Sequence, residues 1–149
     1  MLRTAWLYGS FGENFVSTML RLSASHPQVS VLTDQCGQPT WTVDLARRIL
    51  AVVDAGIAPG IYHATNAGAA SRFEFAREIF RLAGLDPARI VPAEDDAFVR
   101  PAPRPAYSVL GHDAWAATGL PDLRSWRDAL AEAALAGVLD APPASLSAK

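Results

Sequence analysis

Lysine is almost missing from this sequence. Twelve of its thirteen basic residues are arginine, and the one lysine, Lys149, is the last residue. The body of the chain therefore has no lysine to form a Schiff base, to serve a Walker loop, or to pair with a catalytic tyrosine. Tyr8, Tyr62 and Tyr107 are followed four positions on by Gly12, Asn66 and Gly111, so a Tyr-x-x-x-Lys pair is absent. Cysteine is equally scarce. With Cys36 alone, the chain forms no internal disulfide and no cysteine-rich zinc site. No apolar run approaches the roughly eighteen residues that a membrane helix requires. A net charge of -2 and a pI near 5.9 offer nothing to a nucleic acid or an anionic membrane surface. Met1 to Thr4 is not followed by the long apolar region of a signal peptide, so the expected setting is a reducing cytoplasm. Gly9-x-x-Gly12 runs on to Phe15 without a third glycine, so a glycine-rich dinucleotide turn is not found either.

What is present is enough for one domain. The 149 residues are 50% hydrophobic, and the eleven prolines and ten glycines punctuate elements rather than form a low-complexity tract. Leu2 to Tyr8 is strand-like, and Asn14 is placed to cap a helix presenting Phe15, Met19, Leu20 and Leu22. Val29 to Leu32 is a short strand leading to the polar turn 34–40. Thr42 or Asp44 then begins a helix, with Leu45, Ile49, Val52 and Val53 expected inward and Arg47 and Arg48 outward. Gly56 is placed to end it. Gly60 to Ala64 reads as another strand, and Ser71-Arg72-Phe73-Glu74 as a capping box before Phe75, Ile79, Phe80 and Leu82. Ile90-Val91 is a short strand, and 93–105 an irregular acidic and proline-rich stretch. A last helix follows Ser125, with Trp126, Leu130, Ala133 and Ala134 on its inner stripe. Alternation of strands with helices argues an α/β class. Residues 142–149 read as a disordered tail.

Several residues have two readings from their type and position. Asn14 caps its helix or donates to a phosphate at that helix N-terminus. Trp6 is a core residue at a strand end or an indole face for a sugar ring. Asp34 suits an Asx turn. Arg104 is a surface arginine stiffened by prolines or a bidentate ligand for a diphosphate, with Arg100 a looser candidate. His26, His63 and His112 lack metal-ligand spacing, and Glu94-Asp95-Asp96 reads as a solvated loop.

Five strings occur in order: Arg3-Thr4-Ala5-Trp6-Leu7-Tyr8-Gly9; Asp34-Gln35-x-Gly37-x-Pro39-Thr40 with Asp44-Leu45-Ala46; Gly60-Ile61-Tyr62-His63; Glu74-Phe75-Ala76; and Arg104-Pro105-x-Tyr107-Ser108-x-Leu110. Together they resemble the C-terminal part of dTDP-4-dehydrorhamnose reductases, which are extended short-chain dehydrogenase/reductases. The resemblance covers Leu2 to about Ala136. It implies that residues 1–141 are the substrate-binding C-terminal part of a Rossmann-type reductase of nucleotide sugars. Two of its strands would complete the sheet of a glycine-rich N-terminal half that this sequence lacks. The implied reaction is NADPH-dependent reduction of dTDP-4-dehydro-L-rhamnose to dTDP-L-rhamnose. The cofactor motif and the Tyr-x-x-x-Lys pair would belong to the missing half, so the chain is expected to be inactive alone. Trp6, Asn14, Gln35, Thr40 and Arg104 are the implied binding residues for a dTDP-sugar. Magnesium, seen in some family dimers, finds no site in this sequence. Association with the N-terminal half or with itself is expected. The alternative is a non-catalytic nucleotide-sugar-binding or regulatory subunit of the same fold. Two positions depart from the family: Arg72 stands where an aromatic residue is common, and Gly111 where aspartate is common.

Overall fold

A computed structural model describes residues 1–93 and 105–140. Its elements follow the expected alternation: β1 (Leu2–Arg3), β2 (Leu7–Tyr8), α1 (Phe15–Ser25), β3 (Val29–Leu32), β4 (Cys36–Gly37), β5 (Thr40–Trp41) and α2 (Thr42–Ala55). Then come β6 (Tyr62–His63), β7 (Ala70–Ser71), α3 (Arg72–Leu82), β8 (Ile90–Ala93) and α4 (Trp126–Leu135), with single 3₁₀ turns at Pro87–Arg89 and Asp113–Trp115. The expected strand from Leu2 to Tyr8 is in fact two. Trp6 takes a left-handed backbone, with φ of 45°, and breaks it. Such a conformation costs a residue with a side chain about 1–3 kcal/mol, so the surroundings must hold it. The break lets one stretch serve two partners: β1 runs parallel to β6, and β2 runs parallel to β5. β3 and β8 form a third parallel pair, while β4 and β7 are antiparallel.

The core lies where α1, α3 and α4 meet. Phe75 of α3 is fully buried, with its ring 5.6 Å from Tyr8, 5.5 Å from Phe15 and 5.8 Å from Trp126. Ala76, Ile79 and Phe80 extend that face, and Trp126, Leu130 and Ala133 meet it from α4. Helices α1, α3 and α4 start where the sequence places a cap, whereas α2 starts at Thr42 after Trp41 with no side-chain cap bond. Asn14 Oδ1 accepts from the Ser17 amide at 3.1 Å, and Ser71 and Glu74 complete a reciprocal capping box.

Helix α2 departs from the expectation in part: Arg47 is exposed as expected and Leu45 and Val52 are half-buried, but Arg48, Ile49 and Val53 lie opposite to their expected sides. Its buried residues are Asp44 and Arg48, whereas Ile49 and Val53 point outward with Val43 and Leu50. Amphipathic spacing fixes that a helix has two faces, and its neighbours decide which one is covered. Here the neighbours are polar. Asp44 accepts from Arg124 Nε at 2.9 Å and Nη2 at 2.8 Å, and from Asn66 Nδ2 at 2.8 Å. Asn66 Oδ1 takes the Trp41 amide at 2.9 Å, and Arg124 reaches on to Glu132 of α4. Arg48 lies over the Trp115 ring, 4.6 Å from its centroid, and donates to the Pro121 carbonyl. Apolar side chains at the strands also remain open. Leu7 of β2 is 41% exposed, and Ile61, just before β6, is 53%.

Candidate functional site

The site is assembled around the break at Trp6. The Thr40 amide donates to the Trp6 carbonyl at 3.1 Å, joining the two residues that start β5 and end the turn before β2. Gly37 lies against the indole: a Cβ there would stand 2.5 Å from a ring atom of Trp6, so only glycine leaves the ring its place. From the start of α3, Arg72 sets its guanidinium over the same indole, 3.7 Å from the ring centroid, and 5.0 Å from that of Phe15. The Arg72 amide donates to the Gln35 carbonyl at 3.1 Å, which ties α3 to the 34–40 turn.

The third side is the segment after Pro105. The Cys36 amide donates to Ala106 O at 2.7 Å, and Ser108 returns its amide and hydroxyl to Cys36 O at 2.9 and 3.0 Å. Gln38 clasps Leu110 in both directions, donating to its carbonyl at 3.3 Å and accepting from its amide at 2.8 Å. Two strings distant in the sequence are therefore one structure. Sequence reasoning passed over Gln38; its near-complete burial is a tertiary property, and the turn around it is polar throughout.

Trp6, Gln35 and Thr40 thus come together. Trp6 is half-buried, and Gln35 and Thr40 are buried. The Thr40 hydroxyl donates to Gln38 O at 3.2 Å, an intraloop contact that stiffens the turn. Asn14 stands apart from that group. Its Nδ2 donates to Gly9 O at 3.0 Å and to Gly12 O at 3.2 Å, while Oδ1 holds the Ser17 amide, so all its side-chain polar atoms serve the cap. Arg104 and Arg100 lie outside the described residues, as do Glu94 to Asp96 and the tail from Pro142.

A nicotinamide dinucleotide is held chiefly through its pyrophosphate. A pyrophosphate needs open amides at a glycine-rich helix start. At Gly9 to Asn14, the Asn14 side chain occupies the first-turn amide and both neighbouring carbonyls, so these residues do not form that cradle. Among the described residues, no three His, Cys, Asp or Glu side chains cluster to hold a metal ion. No described helix is long and apolar enough to cross a membrane.

Titratable groups near the site are structural in setting. Tyr8 is buried beside Asp44, which pushes its phenol far above the usual range, burial being the larger cause. His112 Nε2 lies 2.7 Å from Thr65 Oγ1, and burial pulls its pKa below the ordinary value. His63 Nδ1 lies 2.8 Å from Gly111 O and Trp115 Nε1 donates to His63 O at 2.7 Å, so the 111–115 segment is strapped to β6.

Comparison with known proteins agrees with this architecture. A model of the RmlD substrate binding domain matches residues 1–137. A Streptomyces antibioticus protein named as a probable dTDP-4,6-dihydroxy-2-methyloxan-3-one 4-ketoreductase is 57% identical over 133 residues, covering 89% of this chain and 45% of that protein. A dTDP-4-dehydrorhamnose reductase of Streptomyces griseus is 54% identical over 136 residues, again 89% of this chain and 45% of the relative. The crystal structure of dTDP-4-dehydrorhamnose reductase from Bacillus anthracis, in complex with NADP, superposes with a TM-score of 0.82 at 36% identity, covering 91% of this chain and 47% of that one. The chain spans about half the length of the curated relatives it matches, aligned with their C-terminal part. It belongs to the RmlD substrate binding domain family.

Proposed function

We propose that this chain is the nucleotide-sugar-binding part of an NADPH-dependent dTDP-4-dehydrorhamnose reductase. The observation that carries the reading is the seam of Trp6, Gln35, Gly37 and Thr40, built in a chain 54% identical to such a reductase. In this reading the sugar of a dTDP-sugar lies by Trp6 and its nucleotide by Gln35. Thr40 and Asn14 hold the loops that border it, and Arg104 meets the diphosphate. The parent reaction reduces a 4-keto sugar to the corresponding alcohol. That needs a hydride donor held in contact with the ketone and a proton for the oxygen. Neither need is met by residues described here, and NADPH and the proton donor would come with an N-terminal Rossmann portion. The exposed side of α2 and the open edge of β1 are the surfaces such a portion would cover.

The test has two arms. Titration of dTDP-L-rhamnose should quench tryptophan fluorescence, with Trp6→Ala weakening sugar-dependent binding and Arg104→Ala weakening dTDP and dTDP-sugar alike, each by about 1–3 kcal/mol. If neither substitution changes affinity, the binding assignment fails. With NADPH and dTDP-4-dehydrorhamnose the chain alone should cause no loss of nicotinamide absorbance. Adding a separately made N-terminal half should restore turnover. Turnover by the chain alone would overthrow the reading.

A further inference from the structure

Trp6 is the strained residue of this site. Among the described residues it alone, glycines aside, has a positive φ, at 45°. A tryptophan has no local reason to be there, since a left-handed backbone suits glycine and, less well, asparagine or aspartate. Such outliers persist where the surroundings over-determine them, and they cluster where geometry serves function. In an unbroken strand Trp6 would share a face with Thr4 and Tyr8, because side chains alternate. Tyr8 on that face is buried in the core. The break takes Trp6 out of the alternation and delivers its indole to the 34–40 turn.

The turn holds the indole there in two ways. Its backbone bonds the break itself, the Thr40 amide donating to the Trp6 carbonyl at 3.1 Å. Its glycine makes room for the ring. A Cβ on Gly37 would stand 2.5 Å from Cε2, 2.6 Å from Cζ2 and 2.8 Å from Nε1 of Trp6, closer than real Cβ atoms come to a neighbour. These atoms belong to one flat, rigid ring system, so only a swing of the whole side chain would relieve the collision. Gly37 cannot retreat either, because β4 is fixed in register, Cys36 opposite Ser71 and Gly37 opposite Ala70. Nor does its own backbone call for glycine, since Gly37 is not among the residues of positive φ. The missing side chain serves the indole. We infer that Gly37 is a positioning residue for sugar recognition, acting through Trp6 by setting where the indole meets the sugar of a dTDP-sugar. This rests on the functional reading above and sharpens it, since it makes sugar recognition the property of a glycine–tryptophan pair and separates it from nucleotide recognition.

The experiment is a double-mutant cycle read by calorimetry. Affinities for dTDP and dTDP-L-rhamnose are compared in the wild-type chain, Gly37→Ala, Trp6→Ala and the double variant, each checked for a cooperative thermal melt. Gly37→Ala should lose about tenfold in affinity for dTDP-L-rhamnose, with dTDP itself changed less than about twofold. Where Trp6→Ala is already present, Gly37→Ala should cost less than about twofold further, because the ring it displaces is gone. A glycine needed only by the turn would weaken both ligands, and would do so in either background; that result would overturn the inference. An unchanged dTDP-L-rhamnose affinity in a folded Gly37→Ala would overturn it too. Should Gly37→Ala fail to melt cooperatively, the double variant decides. It regains a cooperative melt if collision with the indole is the cause, and a double variant that is also unfolded overturns the inference. A wild-type chain that binds neither ligand would sink the functional reading together with this one, an outcome distinct from any result on the variants.

Discussion

Helices α2 and α3 are alike in sequence and opposite in use. Both start directly from a two-residue strand, and both carry apolar residues on one side and charged residues on the other. Helix α3 turns Phe75, Ala76, Ile79 and Phe80 into the core and leaves Arg77 and Arg81 at the surface. Helix α2 buries Asp44 and Arg48 and shows solvent Val43, Ile49, Leu50 and Val53, the last two 64% and 70% exposed. Positions 43, 46, 50 and 53 advance by three, four and three residues, so they form one continuous stripe. Contiguous exposed apolar surface is the kind that partner contacts use. The complement of α3 is in this chain; that of α2's apolar side is not among the described residues. In the proposed reading the complement is the N-terminal portion.

The largest effect should come from the filled side. Phe75→Ala empties a fully buried site shared by Tyr8, Phe15 and Trp126, and should cost about 3–5 kcal/mol in urea denaturation. Asp44→Ala should cost nearly as much, about 3 kcal/mol, because Arg124 and Asn66 would lose their shared acceptor while remaining inside. A loss under about 1 kcal/mol in Asp44→Ala would show that the polar side of α2 is wetter than its burial indicates.

What was legible in the sequence divides along the same line. Local chemistry was readable: Asn14, Ser71 with Glu74, Gly56 and Ser125 all end or begin helices where spacing placed them. The ordered strings led to the right family, and the 34–40 and 105–110 strings turned out to be hydrogen-bonded to each other. Tertiary decisions were not readable. Trp6 breaks its strand because β1 and β2 pair with different partners, and tryptophan itself carries no signal for a left-handed backbone. The side that α2 buries depended on Arg124 and Asn66, which are 80 and 22 residues from Asp44. Around Trp6, the motif pointed to Gln35 and Thr40, which the structure places in the turn beside it, whereas Arg72 was legible only as a departure until its stacking on Trp6 placed it.

A smaller effect concerns pH, and it tests the strap behind α2. His112 is held neutral by burial, beside Asp122, His63, Arg48 and Asp113, with Nε2 on Thr65 Oγ1. Its folded pKa lies below the ordinary 6.5, so on acidification the unfolded chain binds a proton that the folded chain resists. Stability present above that value is therefore lost as pH falls through and below the range of the ordinary imidazole, about 6.5. The urea midpoint of the wild type should drop across this range by more than that of His112→Gln. Equal drops would assign the pH dependence to other groups.

The smallest effect on stability is expected on the open stripe, and there the comparison is sharpest. Leu50→Ser with Val53→Ser removes two of its most exposed apolar side chains. Exposed substitutions that break no packing change stability by about 0.5 kcal/mol or less. The urea midpoint should accordingly stay near that of the wild type, in contrast to Phe75→Ala. Association should respond in the opposite order. The wild-type chain, with this stripe and the β1 edge uncovered, should self-associate in sedimentation and bind a hydrophobic dye. The double variant should do less of both, and should also pair less well with a separately made N-terminal half. A wild-type chain that sediments as a dilution-resistant monomer and binds no dye would show that the stripe is covered within the chain. A double variant that unfolds would say the same, since only packed residues carry that much stability.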